Sequence, residues 1–310
     1  MTTVTYLGPA GTFTEAALLD IAAHGGVLSG GPEALEAVPM VSPAAALAAV
    51  RHGEAEFACV AVENSVDGPV TPTFDALTAG PELQIYQETE IDVVFSILVR
   101  AGTEISDVKT FSTHAVAHPQ VRQWLDQNLP GVEVFYASSN GAAAEKVAAG
   151  EVDACAAPAR AGELNGLVPL AEEVADVRGA RTRFILVGKP GPLPPRTGTD
   201  RTSVSFTTVP NKAGSLMEAM NEFAVRGVNL TRIESRPTRT AMGTYRFHID
   251  VLGHLSDPPV SEALAALHRR AEGVRFLGSW PSYSSSPLDT PPPDVTESID
   301  WVAGLLEGKR

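Results

Sequence analysis

Four prolines fall within the twelve residues Gly188 to Thr199, GKPGPLPPRTGT, and neither a helix nor a central strand can run through such a stretch. Each proline fixes φ and removes a backbone donor, so regular structure must stop before it and start afresh after it. The chain therefore divides into two folding units, 1–190 and 201–283, joined by a linker at 191–200, with a tail at 284–310. A length of 310 residues agrees with two domains, and 44% apolar residues supply a core for each.

After the linker the apolar spacing predicts a strand at 201–209, a helix at 215–226, strands at 228–235 and 244–251, a helix at 260–271 and a strand at 274–280. That βαββαβ order is the ferredoxin-like α+β sandwich. The tail opens with SYSSSPLDTPPPD, a spacer composition, and a short helix is expected from Val295 to Leu306.

Before the linker the pattern is α/β. Residues 3–7 read as a strand, Gly8-Pro9-Ala10-Gly11 turns the chain, and Thr12 with Glu15 forms a capping box for a helix whose apolar face is Phe13, Ala17, Leu18 and Ile21. Residues 42–59, SPAAALAAVRHGEAEFAC, resemble residues 139–155, SNGAAAEKVAAGEVDAC, in the order serine, alanine-rich helix, Gly-Glu, acidic residue, strand and cysteine. Two such helix–turn–strand units predict two similar lobes, the second spanning about 88–173. It is expected to hold one long strand at 91–99, strands at 108–112 and 133–137, and a helix ending near Trp124-Leu125. Segments crossing twice between lobes make a hinged cleft, a usual place for a small ligand.

Charge narrows the partners. A formal net charge of −14 without any basic run argues against nucleic acid and anionic membrane. The N-terminus has no leader pattern and no segment has the length of a membrane span, so a cytoplasmic protein is expected. Cys59 and Cys155 sit singly in apolar runs, as reduced, buried thiols would. No spaced Cys/His ligands suggest a metal, and no cofactor motif is present.

Two stretches carry polar groups where an α/β cleft would use them. In VAVENSVDGPVTPTFDAL (61–77) a buried strand ends abruptly at Glu63-Asn64-Ser65, the end of a strand that faces the ligand crevice in such sheets, and Pro72 then starts a helix. In ARTRF (180–184) two guanidinium groups flank one hydroxyl inside an acidic chain. The bland readings are a polar turn and a β-branched strand residue.

Together with GPAGTFT near the start and VPNKAGSL and GVNLTRIESRP after the linker, these motifs resemble the prephenate dehydratase family with its C-terminal ACT regulatory domain. The resemblance covers residues 4–283. It implies a bilobal, type II periplasmic-binding-protein-like α/β catalytic unit. The implied reaction converts prephenate to phenylpyruvate with loss of water and carbon dioxide, without metal or cofactor, on the way to phenylalanine. It implies that Thr182 is the key catalytic residue, with Asn64 and Gln120 beside it, and that Glu63, Ser65, Gly11, Thr12 and Thr113 line the substrate. By the chemistry of a dianion, Arg183 is expected to grip the pyruvyl carboxylate and Phe184 to exclude water, while Arg181 takes a structural or surface role. Ser138 either donates to a carboxylate at a helix N-terminus or simply caps that helix.

In FSTHAVAHPQVRQWL, anchoring on Trp124-Leu125 places Thr113, His114 and Gln120 at the family's serine, histidine and later glutamine, with His118 on a helix surface. The rival register takes His118-Pro119-Gln120 as the family's His-Pro-Gln. In the regulatory module the resemblance implies that L-phenylalanine binds as an effector at Asn211, Ala213, Gly214, Ser215, Leu216, Glu234, Ser235 and Arg236, between paired modules of a homodimer or tetramer. Two alternatives remain open at this level: a related lyase acting on arogenate, and a non-catalytic amino-acid-responsive binding protein.

Overall fold

A computed structural model describes residues 1–208, 212–283 and 289–308. The chain forms two compact units, one of Met1–Pro81 with Gln87–Lys189, the other of Glu82–Tyr86 with Pro190–Arg310.

The first unit begins with strand β1 (Thr2–Leu7), helix α1 (Phe13–His24), β2 (Leu35–Met40), α2 (Pro43–His52), β3 (Phe57–Asn64), the short β4 (Gly68–Pro69), α3 (Thr71–Leu77) and β5 (Gln84–Asp92), whose opening residues Gln84 to Tyr86 belong to the second unit. The chain then crosses into lobe two as β6 (Ser96–Val99), β7 (Thr110–His114), α4 (Arg122–Asn128), β8 (Glu133–Ala137), α5 (Asn140–Ala148), β9 (Ala154–Ala157), α6 (Ala159–Asn165) and β10 (Val168–Ala171), and returns as β11 (Arg181–Gly188). Lobe one is a sheet in the order β2-β1-β3-β11-β5, with β4 beside β3, and lobe two a sheet in the order β10-β6-β9-β7-β8.

The internal repeat is structural. Ser42 caps α2 by accepting from the Ala45 amide at 3.1 Å, and Ser139 caps α5 by accepting from the Ala142 amide at 3.1 Å. Each helix leads back to a central strand, β3 parallel to β1 and β9 parallel to β7, and each strand buries its cysteine completely. Burial pushes both thiols up, Cys155 to about 12, so they are inert packing groups.

The single strand expected at 91–99 is two strands in two different sheets. Val93 to Phe95 is instead one of the two crossings between lobes. It lies against the returning segment: the Val93 amide donates to Ala180 O at 2.7 Å and the Val174 amide to Phe95 O at 3.0 Å. An unbroken apolar run hid the break, because Val93 and Phe95 stay buried in the lobe-two core while the backbone changes sheets.

The second unit contains β12 (Asp200–Thr207), α7 (Ser215–Ala224), β13 (Leu230–Pro237), β14 (Tyr245–Leu252), α8 (Pro258–Arg270), β15 (Glu272–Pro281) and α9 (Thr296–Leu306). Its sheet runs β13-β14-β12-β15, antiparallel throughout, with α7 and α8 closing a core of Val204, Phe206, Phe223, Ile249, Val251 and Leu267. Gly278 has φ +137°, and a Cβ there would lie 2.4 Å from Ile85 O, so close backbone approach demands glycine.

The twin caps have a direct consequence. Ser42→Ala and Ser139→Ala are each expected to lower stability by about 1 kcal/mol, read as a shift of the urea midpoint at unchanged slope.

Candidate active site

Strand register builds the centre of the site. β11 pairs antiparallel with β3 so that Thr182 lies opposite Asn64 and Arg183 opposite Glu63, with an irregularity between Arg183 and Phe184. The Asn64 side-chain NH2 donates to Thr182 Oγ1 at 2.9 Å. Asn64 Oδ1 in turn accepts the amides of Val66 and Asp67 at 2.8 and 3.0 Å, an Asx turn that curls the chain beyond β3. Since the Thr182 oxygen already accepts from Asn64, its own hydrogen is left to donate elsewhere.

Arg183 does not present a guanidinium for a ligand carboxylate. Its side chain is 5% exposed, with Nη2 at 3.1 Å from Glu63 Oε2 and Nη1 at 3.3 Å from Glu88 Oε2, and Glu88 is buried. Two carboxyl groups thus face one cation, an arrangement that does not support the anion grip expected of Arg183, while Glu63 is partly exposed and spends one oxygen on that cation. Phe184 is likewise a core residue, packed with Val4, Tyr6, Leu18 and Leu186 beneath α1 and not a wall of the cleft. Arg181 is exposed and pairs with Asp92 at 2.8 Å and Glu90 at 3.6 Å, matching its expected surface role.

Ser65 also has another task. Its Oγ accepts the Arg181 amide at 2.9 Å, and its own amide donates to Arg181 O at 2.8 Å, extending the β3–β11 pairing by one residue.

At the start of α1, Thr12 Oγ1 accepts the Glu15 amide at 3.2 Å and donates to Leu7 O at 3.0 Å. Glu15 reaches back to the Gly11 amide at 2.7 Å, and the same oxygen takes Arg160 Nε from lobe two at 3.1 Å. Gly11 has φ +83°, and a Cβ there would stand 2.8 Å from Ala161 Cα. From the other lobe, a Cβ on Gly141 would meet Ala10 O at 3.0 Å. Phe13 meets Phe95 edge-on at 5.5 Å. The glycine turn is therefore a packing joint between lobes, and the ligand contacts expected of Gly11 and Thr12 give way to that role.

In lobe two, Thr113 is fully buried and its Oγ1 reaches Asn140 Oδ1 at 3.5 Å, where the His114 amide also donates at 3.1 Å. Thr113 thus meets the first residue of α5. Burial lowers the His114 pKa, with the neighbouring Asp67 opposing, so the ring is neutral at pH 7. Ser138 is exposed at the carboxyl end of β8, one residue before the Ser139 cap, so capping belongs to its neighbour. His118 lies on a 3-10 turn and bonds Tyr136 Oη at 3.0 Å, while Gln120, later in that turn, is 4% exposed and donates across the cleft to Asp67.

Sequence reasoning overlooked Asp67, Asn140, Glu88 and the Glu15–Arg160 pair. Asp67 stood inside a quoted motif and Asn140 directly after a serine pair, whereas nothing local marks an ion pair 145 residues apart. Among the described residues no group of His, Cys, Asp and Glu could hold a metal ion, and no helix is long and apolar enough to cross a membrane.

In the second unit, β12 and β13 both pair antiparallel with β14 and so run parallel to each other. Their carboxyl ends lie at one end of the sheet, bringing Ala213 to Leu216 and Glu234 to Arg236 to the same side. Gly214 has φ +81° as the N-cap of α7, a conformation that glycine adopts without strain. Asn211 lies outside the described residues.

Family models match the chain twice, Prephenate dehydratase over residues 4–192 and ACT domain over 202–269. A prephenate dehydratase of Corynebacterium glutamicum is 54% identical over 312 residues, covering 100% of this chain and 98% of its own. The crystal structure of prephenate dehydratase from Arthrobacter aurescens in complex with L-Phe has a TM-score of 0.88 and 41% identity, covering 99% of this chain and 100% of that one. A structure described as GqqA, a novel type of quorum quenching acylase, has a TM-score of 0.77 and 30% identity over 92% of this chain and 98% of that one.

Replacing Arg183 by Met separates the two accounts of that residue. With Glu88 left buried beside a missing partner, stability should fall by roughly 3–5 kcal/mol in a denaturant titration. A stable variant with only a raised substrate requirement would restore the anion grip.

Proposed function

The chain belongs to the prephenate dehydratase family, and we propose that Thr182, held by Asn64 in the cleft between the two lobes, is the group that eases water from prephenate. The activity is that of a carbon–oxygen lyase forming phenylpyruvate for phenylalanine synthesis. The bond between ring and carboxylate breaks, its electron pair enters the ring, and the hydroxyl leaves from the opposite ring carbon. Carbon dioxide and, after one proton is taken up, water depart, while aromatisation drives the step.

What the protein must supply is a donor to the leaving oxygen as negative charge gathers there. The single observation that carries this reading is the 2.9 Å bond from the Asn64 NH2 to Thr182 Oγ1. An alcohol is far too weak an acid to give up its proton alone, so Thr182 acts as a positioned hydrogen-bond donor with the proton arriving from water. Gln120, opposite in lobe two, completes the polar lining. With Arg183 committed to Glu63 and Glu88, the pyruvyl carboxylate is read as meeting the Ser138 hydroxyl and the first turn of α5, where backbone amides and the helix dipole favour an anion. The carboxylate to be lost is better left without a strong cation, which would hold back the ground state.

The ACT domain is read as the sensor. Phenylalanine inhibits by binding at Ala213–Leu216 with Glu234, Ser235 and Arg236; the L-Phe bound in the Arthrobacter structure supports this effector. The outer edge of β13 is unpaired in the sheet order, which fits modules that pair into a homodimer or tetramer. A cytoplasmic location belongs to the same reading, supported by relatives that are biosynthetic enzymes.

Two measurements test this. Thr182→Ala should lower kcat by about 10²–10³-fold in the ultraviolet assay for phenylpyruvate while substrate still binds; unchanged turnover removes Thr182 from its role. Gly214→Ala, strained at a positive φ, should weaken inhibition by L-phenylalanine and leave uninhibited turnover as it was; wild-type inhibition counts against the effector site.

A further inference from the structure

We propose that Asp67 is a positioning residue: its carboxylate, reaching across the cleft, holds the Gln120 amide with the carbonyl oxygen turned towards the ring hydroxyl of the substrate. The inference rests on the reading of the cleft given above. Gln120 sits on a short 3-10 turn whose backbone is tied down, its amide donating to Ala117 O at 3.0 Å and its carbonyl accepting the Asp176 amide at 2.7 Å. Only the side-chain amide is left to orient. Its Nε2 donates to an Asp67 carboxylate oxygen in lobe one and to Val116 O at 3.4 Å, so both hydrogens are committed. Oε1 is buried and has no hydrogen-bond partner among the described residues.

A buried carbonyl without a donor is costly, and a ligand that brings one is favoured. Prephenate offers two carboxylates and a keto oxygen, all acceptors, and a single donor, the ring hydroxyl. An acceptor in this cleft can therefore recognise only the group that leaves. A hydroxyl that gives its hydrogen to Gln120 Oε1 turns its lone pairs to other donors, and Thr182 supplies one.

The two ends of a glutamine amide have nearly the same shape, so the neighbour decides which end faces the ligand. A carboxylate can only accept and thus selects the NH2 end. Asp67 is itself placed by the same asparagine that serves Thr182, through its amide to Asn64 Oδ1 at 3.0 Å. One loop of lobe one consequently sets both the threonine hydroxyl and the glutamine on the opposite lobe.

The arrangement depends on pH. Gln120 and His114 face the Asp67 carboxyl; although Asp67 as a whole is exposed, partial desolvation of its carboxyl raises the pKa above the ordinary value, while the Gln120 bond and the His114 charge oppose. As pH falls through that raised value the carboxyl gains a proton, becomes a donor and competes for Gln120 Oε1, so the amide turns over. Activity is lost on the acid side and is fully present above it. His114, held low by burial, charges at lower pH than an ordinary histidine.

The test is kcat and KM against pH for wild type, Asp67→Asn, Asp67→Glu, Gln120→Ala and the double variant Asp67→Asn/Gln120→Ala. Asp67→Asn should lose about ten- to a hundredfold in kcat and flatten the acid limb, and Asp67→Glu should restore the limb. In the Gln120→Ala background the change at 67 should add nothing, a coupling that distinguishes action through the amide from general damage to the loop. An acid limb that survives in Asp67→Asn, or a loss that adds in full to that of Gln120→Ala, overturns the proposal. Thr182→Ala separates this failure from failure of the site, because its loss of turnover stands whatever Asp67 does.

Discussion

The bond between Asn64 and Thr182 exists only because β11 returns from lobe two and pairs with β3 in one register. A slip by one residue would send Thr182 to the other face of the sheet and put Arg183 in its place. That register is held by charge as well as by the ladder: Arg183 joins Glu63 on β3 to Glu88 on β5, and Ser65 with Arg181 adds a further pair of backbone bonds beyond the strand end. The partners are 118 residues apart in sequence, so the pair forms only where the chain has come back from lobe two to β3. Completion of the unit and completion of the site are one event.

The lobes meet through small residues at one place and polar ones at another. Gly11 against Ala161 and Gly141 against Ala10 leave no space for a side chain, while Phe13 and Phe95 fill the adjoining core. Glu15 gathers the Gly11 amide and Arg160 onto one oxygen at this joint. Near the reactive groups the contact is instead a hydrogen bond, Gln120 to Asp67, made and broken with far less loss of packing. The two crossing segments, at 93–95 and 174–180, are bonded to one another where the chain passes between the sheets.

Much of the fold could be read from local signals. The serine caps, the glycine after α2 and the alanine-rich faces of α2 and α5 are short-range features, which is why the repeat and the βαββαβ order of the second unit emerged with boundaries close to those observed. The break at 93–95 did not, because crossing between sheets leaves apolar residues buried on both sides. At the site, Thr182, Asn64 and Gln120 fall into polar positions, two of them recognisable as the abrupt end of a buried strand and the hydroxyl opposite it. Arg183, Phe184, Gly11 and Thr113 have internal partners that their motifs do not show, for one reason: a residue type suited to ligand chemistry says nothing of which partner reaches it first. Glu88 reaches Arg183 from β5 and Ala161 reaches Gly11 from α6, and neither contact leaves a trace within a sequence window.

This also bears on why one framework carries different chemistry. A chain described as an acylase shares this architecture at 30% identity, so lobes, cleft and hinge do not select a reaction. Selection lies in how each polar atom is already spent. A threonine whose oxygen accepts from an amide keeps its hydrogen free to donate outward, and a glutamine whose NH2 is held by a carboxylate turns its acceptor outward. On the proposed reading they present one donor and one acceptor to the same hydroxyl, which suits an alcohol that is departing. Exchanging either anchor would leave threonine and glutamine in place but reverse what they offer. On that reading the anchors Asn64 and Asp67 matter to the chemistry as much as the residues that meet the substrate.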